Sequence, residues 1–395
     1  MISEKMKAFT ANSSAIRAMF EEGKKMAAIY GAENVYDFSL GNPSAPPPEI
    51  VNQTAIQILS NESPFSVHGY TNNCGDEQVR EKIAQQTNKE FDTHYTKDNI
   101  VLTCGAAGGL SVIFRTLLNP QDEVIVFAPF FGEYNSYVKN FDGNLVIVKS
   151  NPADFQIPFE LLENKITKKT KAVIINSPNN PTGVIYSEQT IKNLADLLEK
   201  KQKEIGHSIY LISDEPYRYL AYDNAEVPFT ANYYKNTFVA YSFSKSLSLP
   251  GERIGYLIAN TEMDGFEEII DAFSTANRIL GFVNAPSLFQ KVIGKCIDVK
   301  VDTAVYEKNR NTLYNMLMEL GFECVKPSGA FYLFPKSLEA DDKAFCNVAK
   351  EFRILCVPAS SFGYEGHFRL SYCVDYKTIE NSYESFKALA KKYGR

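Results

Sequence analysis

Seven short apolar segments between residues 100 and 259 constrain the fold of this chain more than any other feature. Each is four or five residues long and nearly all apolar, which is typical of strands covered on both faces. Amphipathic segments with helical spacing lie between several of them, so the alternation predicts a mostly parallel, seven-stranded α/β sheet covered by helices. The predicted strands are Ile100–Thr103, Glu123–Phe127, Leu145–Val148, Ala172–Asn176, Ile209–Ser213, Phe238–Ser242 and Tyr256–Ala259.

The chain of 395 residues is long enough for more than one core. We predict a large domain over residues 48–285 and a smaller α+β domain over residues 286–395. Residues 1–47 are predicted to pack on the smaller domain, and the proline-rich turn at 41–48 makes a stiff connection to the large one. The predicted elements of the smaller domain are a helix with Val305, Leu313, Leu317 and Leu320 that ends at Gly321, strands around 323–335 and 366–372, and a last helix from about Asp375.

Net charge, the length of apolar runs and cysteine spacing argue against several classes of protein. The net charge of −6 gives no electrostatic reason to expect nucleic acid or an anionic membrane as a partner. No run approaches the roughly 20 apolar residues of a membrane span, and the N-terminus lacks a signal-peptide apolar region. The seven cysteines are scattered and form no C-x-x-C pair, so neither disulfides nor a metal site is expected. We therefore expect a cytoplasmic protein with small-molecule ligands.

Two loops that follow predicted strands are candidates for ligand binding, because ligands of open α/β sheets bind beyond the carboxyl ends of the strands. Residues 103–109 (TCGAAGG) open a helical pattern with small residues, and the exposed backbone N–H groups favour a phosphate. Residues 176–183 (NSPNNPTG) form a turn on composition, in which Asn180 can point an amide into the site. A tight turn without a ligand is the alternative interpretation of each loop.

An acidic residue ends the next strand along the chain. Asp214 lies in the segment Ser-Asp-Glu-Pro-Tyr, so it and Tyr217 are placed to face one ligand. A carboxylate in a poorly solvated site favours a cationic partner, such as a protonated ring nitrogen. The alternative is an aspartate that caps a nearby backbone group.

A lysine follows the apolar strand that ends at Ser242. Lys245 at such a site can form an imine with an aldehyde if desolvation and nearby cations lower its pKa. Arg253 supplies a planar fork for phosphate, and Ser242 and Ser244 add hydroxyls. A lysine directly after a strand is more often a solvated end residue. The four features together nevertheless describe one ligand with a phosphate, an aldehyde and a basic aromatic nitrogen, which is pyridoxal 5'-phosphate.

The same stretch carries a resemblance to a known family. Residues 242–255 (SFSKSLSLPGERIG) look like the lysine signature of class I/II aminotransferases, the aspartate aminotransferase superfamily of fold type I. The resemblance covers nearly the whole chain, with the motifs in the family's order and spacing. It implies the fold of the pyridoxal-phosphate-dependent transferases of fold type I.

The resemblance assigns roles to the residues singled out above. By similarity, Lys245 is the Schiff-base lysine and proton carrier, and Asp214 pairs with the pyridinium nitrogen. Tyr217 and Asn180 would bind the phenolic oxygen, and Phe131 matches the residue that stacks on the ring, although an ordinary core aromatic is the alternative. The residues implied to surround the phosphate are Gly105, Ala106, Ala107, Ser242, Ser244 and Arg253.

The resemblance also implies a homodimer with shared active sites. Tyr70, in His-Gly-Tyr-Thr, resembles the tyrosine that reaches the phosphate of the neighbouring subunit. Arg369, in Phe-Arg-Leu-Ser, matches the arginine that grips the substrate α-carboxylate, with Gly41 and Asn180 beside it. The segment 327–332 (PSGAFY) fits the family's smaller domain.

Substrate choice is left between two classes. Ala107 stands where some aspartate-specific relatives carry a lysine. Arg278 lies near the position of a partner-subunit arginine in dicarboxylate-specific relatives, with a surface arginine as the alternative, and Arg17 is a further candidate. The expected donor is an aspartate-like or an aromatic or neutral L-amino acid, and the acceptor a 2-oxo acid such as 2-oxoglutarate.

The implied reaction is amino transfer by a ping-pong mechanism. Orientation of the substrate by Arg369 decides which bond at Cα is weakened. The same scaffold supports β-elimination, decarboxylation and cyclopropane-forming synthases, which the motifs do not separate from transamination. A non-enzymatic regulator that binds the cofactor is the alternative from another class.

Overall fold

In the computed structural model the described residues are 2–11 and 15–395, and the described side chains exclude those of residues 15–18. The strands are β1 Tyr36–Asp37, β2 Ile100–Thr103, β3 Glu123–Ala128, β4 Asn144–Lys149, β5 Thr170–Asn176, β6 Tyr210–Asp214, β7 Thr237–Ser242, β8 Gly255–Ala259, β9 Tyr332–Leu333, β10 Ile354–Leu355, β11 Val357–Pro358 and β12 Phe368–Ser371. The helices are α1 Glu4–Ala11, α2 Ala15–Tyr30, α3 Glu49–Asn61, α4 Pro64–His68, α5 Glu77–Phe91, α6 Gly105–Leu117, α7 Glu133–Asn140, α8 Phe159–Lys165, α9 Glu188–Ile205, α10 Phe243–Ser246, α11 Phe266–Ile279, α12 Ser287–Lys295, α13 Ala304–Glu319, α14 Asp342–Glu351, α15 Tyr376–Asn381 and α16 Tyr383–Lys392. None of the helices described is long and apolar enough to cross a membrane.

The largest sheet has seven strands in the order β2-β8-β7-β6-β5-β3-β4. Only β8 runs opposite to the others, since it pairs antiparallel with both β2 and β7. All seven predicted strands are present within two residues of their predicted ends. The expected fold class, an α/β sheet that is mostly parallel, is confirmed.

Helices cover both faces of this sheet, which explains why its strands are apolar throughout. In β5, Val173 and Ile174 belong to different hydrophobic clusters on opposite faces, and Leu211 and Ile212 of β6 divide in the same way. α6 and α11 pack on one face, while α9 packs on the other. Ser187 caps the start of α9, where its hydroxyl accepts a hydrogen bond from the backbone N–H of Thr190.

Two small sheets lie among the C-terminal helices. β9, β12 and β11 form an antiparallel sheet with β12 in the middle, and β1 pairs with β10 in parallel. The sequence predicts one last helix from about Asp375, whereas the structure has two consecutive helices there. Asp375 caps α15, which ends at Asn381, and α16 continues from Tyr383. β10 and β11 have two residues each, too few for a period-2 pattern to reveal them.

The segment before α3 packs against the C-terminal elements. Phe38 is fully buried in the cluster that contains Leu313 and Leu370, and its carbonyl accepts a hydrogen bond from Ser371 N at 2.8 Å. The backbone N–H of Ala45 donates to the Tyr306 hydroxyl at 3.0 Å. The division of the chain at residues 47 and 285 stays a prediction.

Gly255 is the first residue of β8 and lets this strand approach the backbone of β7 and of the start of α6 closely. It pairs with Thr103 of β2 and Ser242 of β7. A Cβ added there would collide with the Tyr241 carbonyl oxygen and lie 3.0 Å from the Cα of Gly105. Both neighbours are backbone atoms, so neither can rotate away.

We expect Gly255→Ala to lower the free energy of unfolding by about 1–3 kcal/mol, the usual cost of overpacking. Urea unfolding followed by circular dichroism measures the change. Gly251→Ala is the matched control, because a Cβ there meets no atom within 4 Å. Equal stability of the two variants would contradict the prediction.

Candidate active site

A cavity of about 280 Å³ lies where β5, β6 and β7 end, between the large sheet and the sheet of β9 and β12. Ligands of open α/β sheets bind at this edge. Gly105, Tyr70 and Arg278 do not line the cavity, whereas the other predicted site residues do. Those residues are Gly41, Ala106, Ala107, Phe131, Asn180, Asp214, Tyr217, Ser242, Ser244, Lys245, Arg253 and Arg369.

One end of the cavity combines the start of a helix with a guanidinium. α6 begins at Gly105, and the guanidinium of Arg253 lies beside this helix start, where it donates to the carbonyl of Cys104 at 3.3 Å. A Cβ on Gly105 would lie 2.7 Å from a guanidinium nitrogen, and the φ of +70° also favours glycine. Helix N–H groups and a guanidinium together bind phosphate. Gly105 therefore makes room for Arg253 beside the cavity, and its role at a phosphate stays a prediction.

Two hydroxyls border the same end. Ser242 is the last residue of β7 and its side chain caps α10 by accepting a hydrogen bond from Ser244 N. The hydroxyls of Ser242 and Ser244 lie 2.7 Å apart. Both are buried in the wall of the cavity, where their protons can turn towards an anion.

Asp214 presents an unsatisfied carboxylate oxygen. Its Oδ2 accepts a hydrogen bond from the Tyr134 hydroxyl at 2.5 Å, while its buried Oδ1 has no hydrogen-bond partner among the described residues. Burial raises the pKa of Asp214 to about 7, against the lowering effect of the Tyr134 bond, and the charge of Glu215 adds to the rise. A buried acceptor of this kind fits a protonated ring nitrogen.

Lys245 lies in the short helix α10 after β7, and its side chain is partly buried in the cavity. Its Nζ donates to the carbonyl of Gly41 at 2.7 Å. Burial lowers the pKa of Lys245 to about 8, and the charges of Arg369 and Arg253 lower it as well, while Cys373 opposes them. The neutral amine is consequently accessible near neutral pH, as a nucleophile or base requires.

Arg369 of β12 is buried, and two of its three side-chain nitrogens have a hydrogen-bond partner. Its Nη1 donates to Asn180 Oδ1 at 3.1 Å and its Nη2 to the Ser39 carbonyl at 2.5 Å, whereas the buried Nε has no partner in the part of the chain that the structure describes. The rings of Tyr332 and Phe362 lie 4.6 Å and 5.0 Å from the guanidinium carbon. Such an arginine fits the carboxylate of a small ligand.

Two aromatic residues complete the predicted set within the cavity. Tyr217 is buried three residues after Asp214, and its hydroxyl lies 3.0 Å from that of Tyr332. Phe131 lines the cavity with its ring edge-on to Tyr134 at 5.5 Å. Phe131 is also partly buried against the hydrophobic cluster that contains Leu110 and Val126, and its role of stacking on a ring stays a prediction.

The remaining candidates lie away from this cavity or outside the described side chains. Tyr70 is 89% exposed, and Arg278 is exposed in the last turn of α11. The resemblance implies that both act on the site of a neighbouring subunit, so their positions in one chain leave that prediction standing. The side chain of Arg17 is among those that are not described.

Sequence reasoning missed three tyrosines. Tyr134 and Tyr137 lie on α7. Tyr137 lines the cavity, and the Tyr134 hydroxyl donates a hydrogen bond to Asp214 Oδ2. Tyr134 and Tyr137 are three residues apart on α7, a spacing that places them on neighbouring parts of one helix face. Tyr332 was noted in a family motif without a role, yet it lines the cavity.

The bond between Tyr134 and Asp214 predicts a pH-dependent effect. Tyr134→Phe removes a bond that lowers the pKa of Asp214, so this pKa should rise above about 7. A hydrogen bond to a charged group contributes about 1.5–3 kcal/mol, so we expect the apoprotein to bind pyridoxal phosphate about ten-fold or more weakly at pH 7, with partial recovery at pH 9. Spectrophotometric titration measures this affinity.

Tyr234→Phe is the control for this experiment. It also removes a buried tyrosine hydroxyl, which donates to the Ile209 carbonyl beside the opposite end of β6. An equal loss of affinity in both variants, or the same loss at both pH values for Tyr134→Phe, would refute the effect on Asp214.

Comparison with known proteins identifies relatives along the whole chain. The model of the family described as aminotransferase class I and II matches residues 32–386. A probable aspartate/prephenate aminotransferase from Aquifex aeolicus is 32% identical over 354 residues, covering 86% of this chain and 87% of the relative. An aspartate aminotransferase from Thermotoga maritima is 30% identical over 367 residues, covering 92% and 93%.

Solved structures are similar over the same length. An amino transferase from Eubacterium rectale has a TM-score of 0.98 at 49% identity and covers 100% of both chains. The aspartate aminotransferase from Thermus thermophilus with maleate has a TM-score of 0.87 at 25% identity, with 98% of this chain and 99% of that chain covered.

Proposed function

The chain belongs to the class I and II aminotransferases, and from that premise we propose the roles of its cavity residues and the class of its substrates. It is a transaminase that depends on pyridoxal phosphate. The observation that supports the proposed roles is that one cavity is lined by the partly buried Lys245, by Arg253 beside the start of α6, and by Arg369, whose Nε is unpaired among the described residues. Nothing in the relatives favours a β-lyase, a decarboxylase or a non-enzymatic regulator.

The cavity residues fit the cofactor. The unpaired Oδ1 of Asp214 would accept the proton of the ring nitrogen, and Tyr217 and Asn180 would bind the phenolic oxygen. Phe131 would stack on the ring. When bound, pyridoxal phosphate acts as an electron sink that makes the Cα–H bond of an amino acid acidic. The residues proposed to hold its phosphate are Gly105, Ala106, Ala107, Ser242, Ser244 and Arg253.

Lys245 is proposed to move the proton at the substrate Cα. Its lowered pKa of about 8 leaves part of the amine neutral at neutral pH, so the nitrogen can accept that proton. The carbonyl of Gly41, 2.7 Å from Nζ, holds the amine at the edge of the cavity. Covalent attachment of the cofactor to Lys245 is part of the same proposal.

Arg369 is proposed to orient the substrate. Its free Nε would donate to the α-carboxylate, beside Gly41 and Asn180. A fixed carboxylate decides which Cα bond faces Lys245, and proton removal is favoured when that bond is Cα–H. The amino acid and the 2-oxo acid use the same cavity in turn, which is ping-pong kinetics.

The proposed donor is an aspartate-like or an aromatic or neutral L-amino acid, with an acceptor such as 2-oxoglutarate. The relatives are named for aspartate and prephenate. Among the described side chains, the cations that line the cavity are Lys245, Arg253 and Arg369. A second substrate carboxylate would therefore need another cation, and Arg278 of a second copy is the proposed source.

Half-reactions with single amino acids and no 2-oxo acid test this function. We expect the visible absorbance of the holoenzyme to shift while one equivalent of 2-oxo acid is released per subunit. Lys245→Ala should abolish the conversion, and Arg369→Lys should raise the half-saturating concentration about ten-fold or more, since lysine lacks the planar fork. Release of ammonia with pyruvate, or of carbon dioxide, would overturn transamination.

The same panel tests the role of Arg278. Arg278→Ala should slow the half-reaction with aspartate and leave that with an uncharged amino acid unchanged. Equal rates of variant and parent protein on aspartate would remove Arg278 from the substrate site.

We also propose a homodimer in which Tyr70 serves the site of the second copy. Tyr70 and Phe65 are 89% and 92% exposed in one chain, which is unusual for large aromatic side chains. An interface would cover them and bring the Tyr70 hydroxyl to a phosphate.

Mixing two inactive variants tests this arrangement. In a mixed dimer of Lys245→Ala and Tyr70→Ala chains, one site carries both changes and the other carries neither. We expect the co-refolded mixture to exceed the summed activity of the separate variants by several-fold. Two Lys245→Ala preparations mixed in the same way are the control, and no gain in the test mixture would contradict sharing of Tyr70.

A cytoplasmic location and the division of the chain at residues 47 and 285 complete the proposal. All seven cysteines are free thiols, which supports a reducing compartment. The contacts of residues 36–45 with the C-terminal elements support an N-terminal segment that packs on the smaller domain.

A further inference from the structure

We propose that Tyr332 is a positioning residue that couples the carboxylate-binding Arg369 to Tyr217 through one side chain. The inference rests on the proposed roles of Arg369 and Tyr217 in binding substrate and cofactor. Tyr332 would act through these residues, by holding the guanidinium in its plane and by directing the hydroxyl of Tyr217.

The strand pairing places the ring of Tyr332 over Arg369. Tyr332 of β9 is paired with Ser371 of β12, two residues beyond Arg369, so the two side chains project from the same face of the small sheet. The ring centre lies 4.6 Å from the guanidinium carbon, and Phe362 lies on the guanidinium at 5.0 Å. This stacking restricts rotation of the fork whose Nε remains unused.

The hydroxyl of Tyr332 has a separate partner. It lies 3.0 Å from the Tyr217 hydroxyl, and both side chains are buried. If the Tyr217 hydroxyl donates a hydrogen bond to the phenolic oxygen of the cofactor, its own oxygen remains free to accept a hydrogen bond from the Tyr332 hydroxyl. Chains of hydrogen bonds polarise one another, so the Tyr332 hydroxyl would make Tyr217 a stronger donor.

Gly41 connects the same side chain to Lys245. A Cβ on Gly41 would collide with the Tyr332 hydroxyl, so the tyrosine packs directly against the glycine backbone. The carbonyl of this glycine accepts the hydrogen bond from Lys245. Stacking on Arg369 needs only the ring of Tyr332, which phenylalanine would also supply, so the hydroxyl is explained by its bond to Tyr217.

The test uses the holoenzyme of Tyr332→Phe. One neutral hydrogen bond contributes about 0.5–1.5 kcal/mol, so the pH midpoint of the cofactor's visible absorbance should rise by about half to one unit. We expect kcat below this midpoint to fall several-fold while KM for the amino acid stays unchanged, because the ring still stacks on Arg369. Tyr332→Leu removes the stacking as well and should raise KM about ten-fold.

Tyr372→Phe is the matched control. Its hydroxyl is buried in the same core and bonds to the backbone carbonyl of Ala330, but it does not line the cavity. It should leave the absorbance midpoint unchanged. An equal midpoint shift in Tyr372→Phe and Tyr332→Phe would mean that the loss of any buried hydroxyl in this core moves the midpoint. That result would overturn the inference.

Tyr217→Phe separates failure of the inference from failure of the proposed function. If Tyr217→Phe raises the midpoint and adding Tyr332→Phe raises it no further, the two hydroxyls act as one unit and the inference holds. A shift in Tyr217→Phe with none in Tyr332→Phe overturns the inference alone. No shift in Tyr217→Phe overturns both the proposed role of Tyr217 and the inference.

Discussion

The burial of a carboxylate with one unpaired oxygen is the constraint on which the site depends. Asp214 ends a central strand of the large sheet, where its Oδ2 accepts a hydrogen bond from Tyr134 and its Oδ1 has no partner within the described chain. Burial without a cation raises the pKa of this carboxyl to about 7. A cofactor with a basic ring nitrogen would supply the missing proton donor. The free energy lost by burying the Asp214 carboxylate in the apoprotein would then be recovered when the cofactor binds.

The second half of the site comes from the small antiparallel sheet. Arg369 and Tyr332 stand on neighbouring strands and reach the cavity opposite Asp214 and Lys245. Gly41 lies between the two halves, since its carbonyl accepts from Lys245 and its backbone packs against Tyr332. A substrate carboxylate bound by Arg369 would therefore be held relative to Lys245 by packing as well as by charge.

Much of the fold and the cofactor site could be predicted from sequence because the relevant signals are local. A strand buried on both faces is apolar throughout, and residues that follow parallel strands share one edge of the sheet. The strand ends near Asn176, Asp214 and Ser242 were found in this way. Tyr134 was missed because its bond to Asp214 joins residues 80 positions apart, and no local pattern records that contact.

By itself the sequence determined the order of strands and helices, the family, and the cavity residues that follow strands. Only the tertiary structure decided that Tyr332 stacks on Arg369 and meets Tyr217, a contact across 115 residues. It also decided that Arg369 Nε is unpaired among the residues described and that Gly41 has no room for a side chain. The physical reason is that short-range patterns encode burial and turns, whereas contacts between distant elements depend on how their surfaces pack.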